Sequence, residues 1–373
     1  MRVAILGAGF FGFHIAHQLE RRYPGIEVEI FEKDARPLRG AGTHNQCRLH
    51  MGFHYPRSGY TIYQSIMGFD RFVAEYGEFL SDVGDNLYAV RHDGLVSVEA
   101  YLAVMDAFHL RYETVPVSPD LFRDPDGIGV VLRVPERSID VQSVRERLAG
   151  RVAARLHTWC RIDEIDAARG MLRSGSQLFG PFDYIVNASY TDPNLGLPEN
   201  LHFAIKWELT ALVLATTSLA PDAAVTIMDG EYVSVYPAYG GMHTLSSVAH
   251  TPIRRYTTRD EMIADYPRRL ELANRAGAEA AIADDVARHL NVQHDTKELW
   301  VTAKTKLATD MGDSRVTEVR RHDRLFSVLC GKIDAVFEAS DTILQEMTWP
   351  IPPDSPQASV TPDSAMAASL RTP

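Results

Sequence analysis

The sequence predicts an α/β fold with a doubly wound, mostly parallel sheet, joined to a second α+β unit built on a mixed or antiparallel sheet. Three observations lead to it. The chain opens as strand, glycine turn, helix and strand within its first 31 residues. A short apolar run of the same strand type returns at residues 184–188. Between residues 209 and 249, strand-length apolar runs alternate with turn residues, as in an antiparallel sheet.

Residues 2–6 form a continuous apolar run, the pattern of a parallel strand buried on both faces. Residues 13–22 have helical spacing, with Ile15 and Leu19 four apart, and Pro24-Gly25 stops them. Residues 28–31 are a second apolar strand, closed by Glu32. Residues 61–76 and 98–110 read as helices, and Asp140 caps an amphipathic helix reaching residue 148. Strands are expected at 212–214, 225–227 and 232–236, with Pro221 and Asp229-Gly230 between them. Residues 259–290 are helical and rich in alanine and charge. Residues 350–373, mostly proline, serine and alanine, read as a loose tail or as an arm contacting a second copy in a homo-oligomer.

The 373-residue length suits two structural units. A net charge of −11 lacks the basic footprint of a nucleic-acid binder, so a small-molecule partner is expected. Cys47, Cys160 and Cys330 are far apart, which gives neither a disulfide framework nor a zinc site and fits a reducing, cytoplasmic compartment. No apolar run approaches the roughly 18 residues of a membrane span, and the opening run is too short for a signal-peptide core.

Gly7-Ala8-Gly9-Phe10-Phe11-Gly12 fits the pattern GxGxxG. Gly7 permits the tight turn, Gly9 lets the backbone approach a pyrophosphate, and Gly12 lets helix and strand pack closely. Glu32, about 20 residues on at a strand end, has the spacing of a ribose-binding acid. An acid there disfavours a 2′-phosphate. The motif does not by itself separate NAD from FAD.

Three further blocks accompany this motif. Residues 42–56 include Asn45, Arg48, His50-Met51-Gly52 and Tyr55; residues 183–189 end a strand in Asn187-Ala188-Ser189; residues 329–334 follow an apolar strand with Cys330-Gly331-Lys332. In this order they resemble the D-amino-acid-oxidase-like superfamily of FAD-dependent oxidoreductases. Residues 42–56 are most similar to the L-2-hydroxyglutarate dehydrogenase/oxidase branch. The resemblance implies FAD as cofactor, held in a Rossmann-like domain assembled from residues 1–60, 140–204 and 292–346. Residues 61–139 and 205–291 would form the substrate domain. Expected cofactor contacts are Gly7, Gly9, Gly12, Glu32, Lys33, Asn45, Arg48, Ala188, Gly331 and Lys332, the last two opening the final helix. Lys332 is read equally well as a solvated first-turn lysine. Tyr190 stands where the superfamily's strand usually ends in glycine.

A flavin accepts hydride, so the protein must position the substrate and remove a proton if that substrate is an alcohol. His50 is the first choice for the base and His54 the second; both are also readable as buried structural histidines. The glycine and proline around them argue against a metal pair, and no metal is expected. Arg57 or Arg48 would bind a substrate carboxylate, with Tyr236 as hydroxyl partner on a face shared with Tyr232 and Ser234. Alternating tyrosines are equally common as half-buried strand residues. Lys206 and His243 are further pocket candidates, and His44 a candidate for covalent flavin attachment by family analogy. The expected function is oxidation of a small polar molecule: a 2-hydroxy acid, an amino acid or a sugar-like alcohol. The rivals are a non-redox flavoenzyme, a flavin monooxygenase, a catalytically silent flavin-fold protein and an NAD-dependent dehydrogenase.

Overall fold

The computed structural model describes residues 1–308 and 317–348, so the expected tail at 350–373 lies outside the described residues. A six-stranded sheet runs in the order Glu318–His322, Leu325–Leu329, Tyr184–Asn187, Arg2–Leu6, Glu27–Phe31 and Arg155–His157. The first of these pairs antiparallel and the rest are parallel. The unbroken apolar run of the opening strand follows from its central place. Val3 and Ile5 enter the core on one face, and Ala4 and Leu6 enter the core on the other.

The first face is covered by the helices Phe10–Arg22, Gly59–Tyr76 and Val336–Glu346. The sequence reading places residues 61–76 in the substrate domain. Their helix instead buries Phe69, Phe72 and Tyr76 with Phe10, Phe13 and Phe337 in this first core. The final helix starts at Val336, so Gly331 and Lys332 do not open it: they belong to a turn between strand and helix.

The second sheet has nine strands and is mixed. Its strands Ile205–Thr217 and His294–Leu307 pair antiparallel over nearly their whole length, whereas Asn86–Arg91 and Ala224–Met228 pair in parallel. The 292–346 segment therefore does not belong to one sheet: residues 294–307 are hydrogen-bonded here, and the six-stranded sheet resumes only at Glu318. The helical stretch 259–290 is three helices, Arg259–Asp265, Arg269–Arg275 and Ala278–His289. Pro267, which has no amide hydrogen to donate, sits in the first break, and Gly277, at φ +62°, makes the second. Among the described residues, no helix is long and apolar enough to cross a membrane.

His14 ties the three covering helices together. Its ring is fully buried, with Nδ1 2.6 Å from the Tyr76 hydroxyl and Nε2 3.0 Å from Ser340 Oγ. Burial, with smaller contributions from nearby cations, lowers its pKa from 6.5 to about 3. Below pH 6.5 the unfolded chain therefore binds a proton that the folded chain excludes, and stability falls with pH until the folded value is reached. Denaturant unfolding of a His14→Gln variant tests this. It should lose about 1–2 kcal/mol at pH 8. Between pH 6.5 and 4.5 the variant should lack a contribution of up to about 1.4 kcal/mol per pH unit seen in the parent.

Candidate active site

Residues from both sheets line a cavity of about 610 Å³, within the range of small-molecule and cofactor sites. Its floor is the glycine turn. Gly7 has φ +98°, and a Cβ there would lie 2.7 Å from the Ala188 carbonyl oxygen; a Cβ on Gly12 would lie 2.0 Å from the Gly7 oxygen. These two glycines are explained by the packing of the protein on itself. Gly9 is not, because a Cβ there meets nothing within 4 Å. Gly9 lines the cavity and caps the Phe10–Arg22 helix without any side-chain hydrogen bond, leaving backbone donors for an anion.

The cavity wall beside this turn suits a dinucleotide. Glu32 lines it and accepts hydrogen bonds from the amides of Ala8 (2.9 Å) and Asp34 (3.0 Å), which fixes the carboxylate at the end of its strand. Burial raises its pKa, with the two amides acting in the opposite direction. The Lys33 ammonium lies 4.4 Å from the Tyr266 ring centroid, and both residues line the cavity. Ser189 Oγ is buried in the same wall, without a hydrogen-bond partner among the described residues. An open backbone cradle, a fixed carboxylate and an unpaired hydroxyl together fit the sugar and phosphate groups of FAD. Gly7, Gly9, Glu32, Lys33 and Ala188 are the residues that would hold that end.

Further along, the wall is the irregular segment 45–55. Asn45 turns inward: Nδ2 donates to the Ala41 carbonyl (2.7 Å) and Oδ1 accepts from the Cys47 amide (2.5 Å), which supports Cys47 at φ +53°. Arg48 is buried. Its guanidinium donates to Thr226 Oγ1 (2.7 Å), Gln46 Oε1 (3.1 Å), the Tyr88 hydroxyl (3.3 Å) and Ser234 Oγ, and it stacks 4.1 Å from the Tyr236 ring centroid. Behind it lies Glu136, 1% exposed, which accepts hydrogen bonds from the Tyr88 hydroxyl (2.7 Å) and the Met51 amide (2.8 Å). His50 Nδ1 sits 3.4 Å from Oε2, the oxygen that also accepts from Tyr88, without a hydrogen bond to it. Burial alone would push the Glu136 carboxyl up, but His50, Tyr88 and the Met51 amide together hold it below its usual value.

The result is an imidazole in the cavity wall with an ionised carboxylate behind one nitrogen, leaving Nε2 for a ligand. His54 lies alongside, its ring 5.3 Å from that of His50, and Tyr55 meets both rings edge-on. Glu136 went unnoticed in the sequence because it is a lone acid between two short strands, 86 residues from His50.

Two expected substrate residues lie elsewhere. Arg57 Nε donates to Asp229 Oδ2 at 2.7 Å and is outside the cavity lining. Tyr236 is fully buried beneath Arg48, and its hydroxyl donates to the Arg137 carbonyl (3.2 Å). Ser234 and Tyr236 do share a face, but it faces Arg48; Tyr232 packs on His289 and donates to Asp93. Lys332 lines the cavity yet is not a solvated lysine. It is 8% exposed and donates to the Thr61 carbonyl (3.0 Å) and Ser65 Oγ (2.6 Å), pinning the 330–334 turn to the Gly59–Tyr76 helix. His44 packs against Trp300 and His243 is buried between Thr217 and the Ala223 carbonyl; neither these two nor Lys206 lines the cavity. Among the described residues, no group of three or more His, Cys, Asp and Glu side chains could hold a metal ion.

Comparison with known proteins gives a consistent picture. A family model described as FAD dependent oxidoreductase (DAO) matches residues 2–290. The chain is 32% identical over 353 residues to the FAD-dependent monooxygenase FPY4 of Fusarium mangiferae, spanning 92% of this chain and 90% of that protein. Among solved structures, it is similar to NikD, an unusual amino acid oxidase, with a TM-score of 0.69 at 16% identity, over 93% of this chain and 94% of the other. It is also similar to the FAD-bound L-α-glycerophosphate oxidase of Mycoplasma pneumoniae, with a TM-score of 0.67 at 13% identity, over 92% and 94% of the two chains. At these identities the structural likeness is one of fold.

The three motif glycines should behave differently when each is replaced by alanine. Gly12→Ala should destabilise the protein itself by about 2–3 kcal/mol, since its Cβ overlaps backbone. Gly9→Ala should leave the melting temperature without cofactor unchanged and weaken FAD binding about tenfold or more. Thermal melting and fluorescence titration with FAD check the pair.

Proposed function

The chain belongs to the DAO family of FAD-dependent oxidoreductases, and from that premise we propose that it oxidises a small hydroxyl-bearing substrate, with His50 as the base. FAD is its cofactor and, when bound, supplies the two-electron acceptor. The observation that carries the reading is His50 in the cavity wall with Glu136 3.4 Å behind its Nδ1. An alcohol must lose its hydroxyl proton as the carbon is oxidised, whereas a neutral amine has no proton that must first leave. A carboxylate-backed imidazole therefore favours a 2-hydroxy acid or sugar-like alcohol over an amino acid. Glu136 places a carboxylate against the Nδ1 side of the ring. Tyr55 and His54 pack against the ring and limit its rotation. Arg48 contributes positive charge to the wall while both of its terminal nitrogens stay bound to protein oxygens, so it shapes the site rather than gripping a carboxylate in bidentate fashion. Division of the chain into a cofactor unit and a substrate unit, with a boundary between 307 and 318, belongs to the same proposal.

A second reading has a specific basis. The relative FPY4, 32% identical and covered over 90% of its length, is named a monooxygenase. On that reading His50 would deprotonate a hydroxylated substrate, and FAD, when bound, would supply the activation of oxygen.

Anaerobic mixing with panels of 2-hydroxy acids, sugar alcohols and amino acids separates the readings. The first expects the flavin absorbance near about 450 nm to bleach with a hydroxylated substrate and no NAD(P)H. His50→Asn should slow that bleaching by about 10²–10⁴-fold with flavin content unchanged. Bleaching only by NAD(P)H, followed by incorporation of oxygen into product, would replace the first reading with the second. Bleaching by amino acids at rates independent of His50 would remove His50 from the mechanism.

A further inference from the structure

The Gly59–Tyr76 helix has every side but one occupied. Ile62, Phe69, Phe72 and Tyr76 are buried in the cores beside it, and Thr61 and Ser65 hold Lys332. Gly68 meets the 330–334 turn so closely that a Cβ there would lie 2.3 Å from the Asp334 carbonyl oxygen. The side left open carries Tyr60, Tyr63, Met67, Asp70 and Ala74, all exposed and spaced 3, 4, 3 and 4 residues apart. That spacing makes one seam along the helix, about 21 Å long at roughly 1.5 Å per residue.

Three large apolar side chains on this seam are more than half exposed: Tyr60 at 53%, Tyr63 at 54% and Met67 at 54%. Among the described residues, no other helix or strand exposes more than one. The Phe10–Arg22 helix shows the ordinary alternative, with His17, Gln18, Glu20, Arg21 and Arg22 at its less buried positions. A contiguous apolar stripe marks a contact surface.

The charges beside the seam decide what fits it. Glu338 lies near one end, with Oε1 3.4 Å from the Tyr60 hydroxyl and Oε2 accepting from Gln64. Arg71 lies toward the other end, bound to Asp341 at 2.6 Å with both side chains nearly half exposed. We propose that the seam is the contact surface for a second copy of this chain, in an antiparallel two-fold dimer centred on Met67. Met67 then meets itself. Tyr60 comes level with Ala74 of the second copy, large against small, each seven residues from Met67. Tyr63 comes level with Arg71 of the second copy, each four residues from Met67, which sets a cation against an aromatic ring. Glu338, level with Tyr60 and Gln64, faces the same arginine with opposite charge. A parallel pairing would instead set Arg71 on Arg71 and Glu338 on Glu338. A single helix seam is smaller than the roughly 800 Å² per side of a standard interface, so the dimer is weak, with a Kd of about 10 μM.

The test is sedimentation velocity of the FAD-loaded full chain between about 1 and 200 μM, across which monomer should give way to dimer. Tyr63→Glu should weaken the dimer about tenfold or more. It should leave the melting temperature of the monomer unchanged, because position 63 is exposed. Met67→Cys should give a disulfide-linked dimer on oxidation, since position 67 meets itself. The parent should not, because Cys47 and Cys160 are buried and Cys330 is half-buried. A chain that stays monomeric throughout would overturn the proposal. If the introduced thiol is then also unreactive, the seam belongs to residues 349–373 of the same chain. A dimer insensitive to Tyr63→Glu, or one without the Met67→Cys cross-link, would overturn it equally. These readouts need no substrate, so they stand apart from the assignment of His50.

Discussion

Arg48 carries a full positive charge in a nearly water-free place, and the arrangement of the reacting end follows from how that charge is satisfied. Its two terminal nitrogens are met by oxygens from Gln46 on its own segment and from Tyr88, Thr226 and Ser234 on three strands of the nine-stranded sheet. None of the four is a carboxylate. The nearest compensating charge in this network is Glu136, reached through the Tyr88 hydroxyl. A buried charge with incomplete partners is costly, so each link is constrained by the others. The 46–50 segment is thereby stitched across the second sheet, and the same Glu136 that balances Arg48 faces His50. Positioning of the imidazole is a consequence of burying the guanidinium.

The fold was legible wherever local pattern and global place agree. The run from Val3 to Leu6 is apolar at successive positions because its two faces enter two different cores. Gly7, Gly9, Gly12 and Glu32 were readable because their spacing follows from one local turn and one strand. The alternation of Ser234 and Tyr236 was real, yet which object that face meets depends on Arg48, 188 residues from Tyr236. Glu136 had no local signature at all: its meaning comes from Tyr88, Met51 and His50. Lys332 looked like a helix-opening residue because a glycine precedes it, but tertiary burial against Thr61 and Ser65 decides its role. The pattern of residues 294–307 could not reveal that they pair with Ile205–Thr217 instead of the first sheet.

The two halves of the cavity are built by different means. At the glycine turn, backbone comes so close to backbone that side chains are excluded at Gly7 and Gly12, while Gly9 keeps open space for a ligand. At the reacting end, side chains do the work, and backbone conformations of positive φ at Leu38 and Cys47 steer the chain between the two. This division suits an enzyme in which one end holds a constant cofactor and the other meets a particular substrate.

A crystal structure of the FAD-bound protein tests the central claim most directly. The account predicts the dinucleotide lying on Gly9 and Glu32, with the flavin ring system between the 45–55 segment and the 330–332 turn. His50 Nε2 should then be within reach, about 2.6–3.2 Å, of a hydroxyl on a substrate analogue placed against the ring. A flavin ring bound away from His50, or a His50 ring shielded from bound ligand by other side chains, would contradict it.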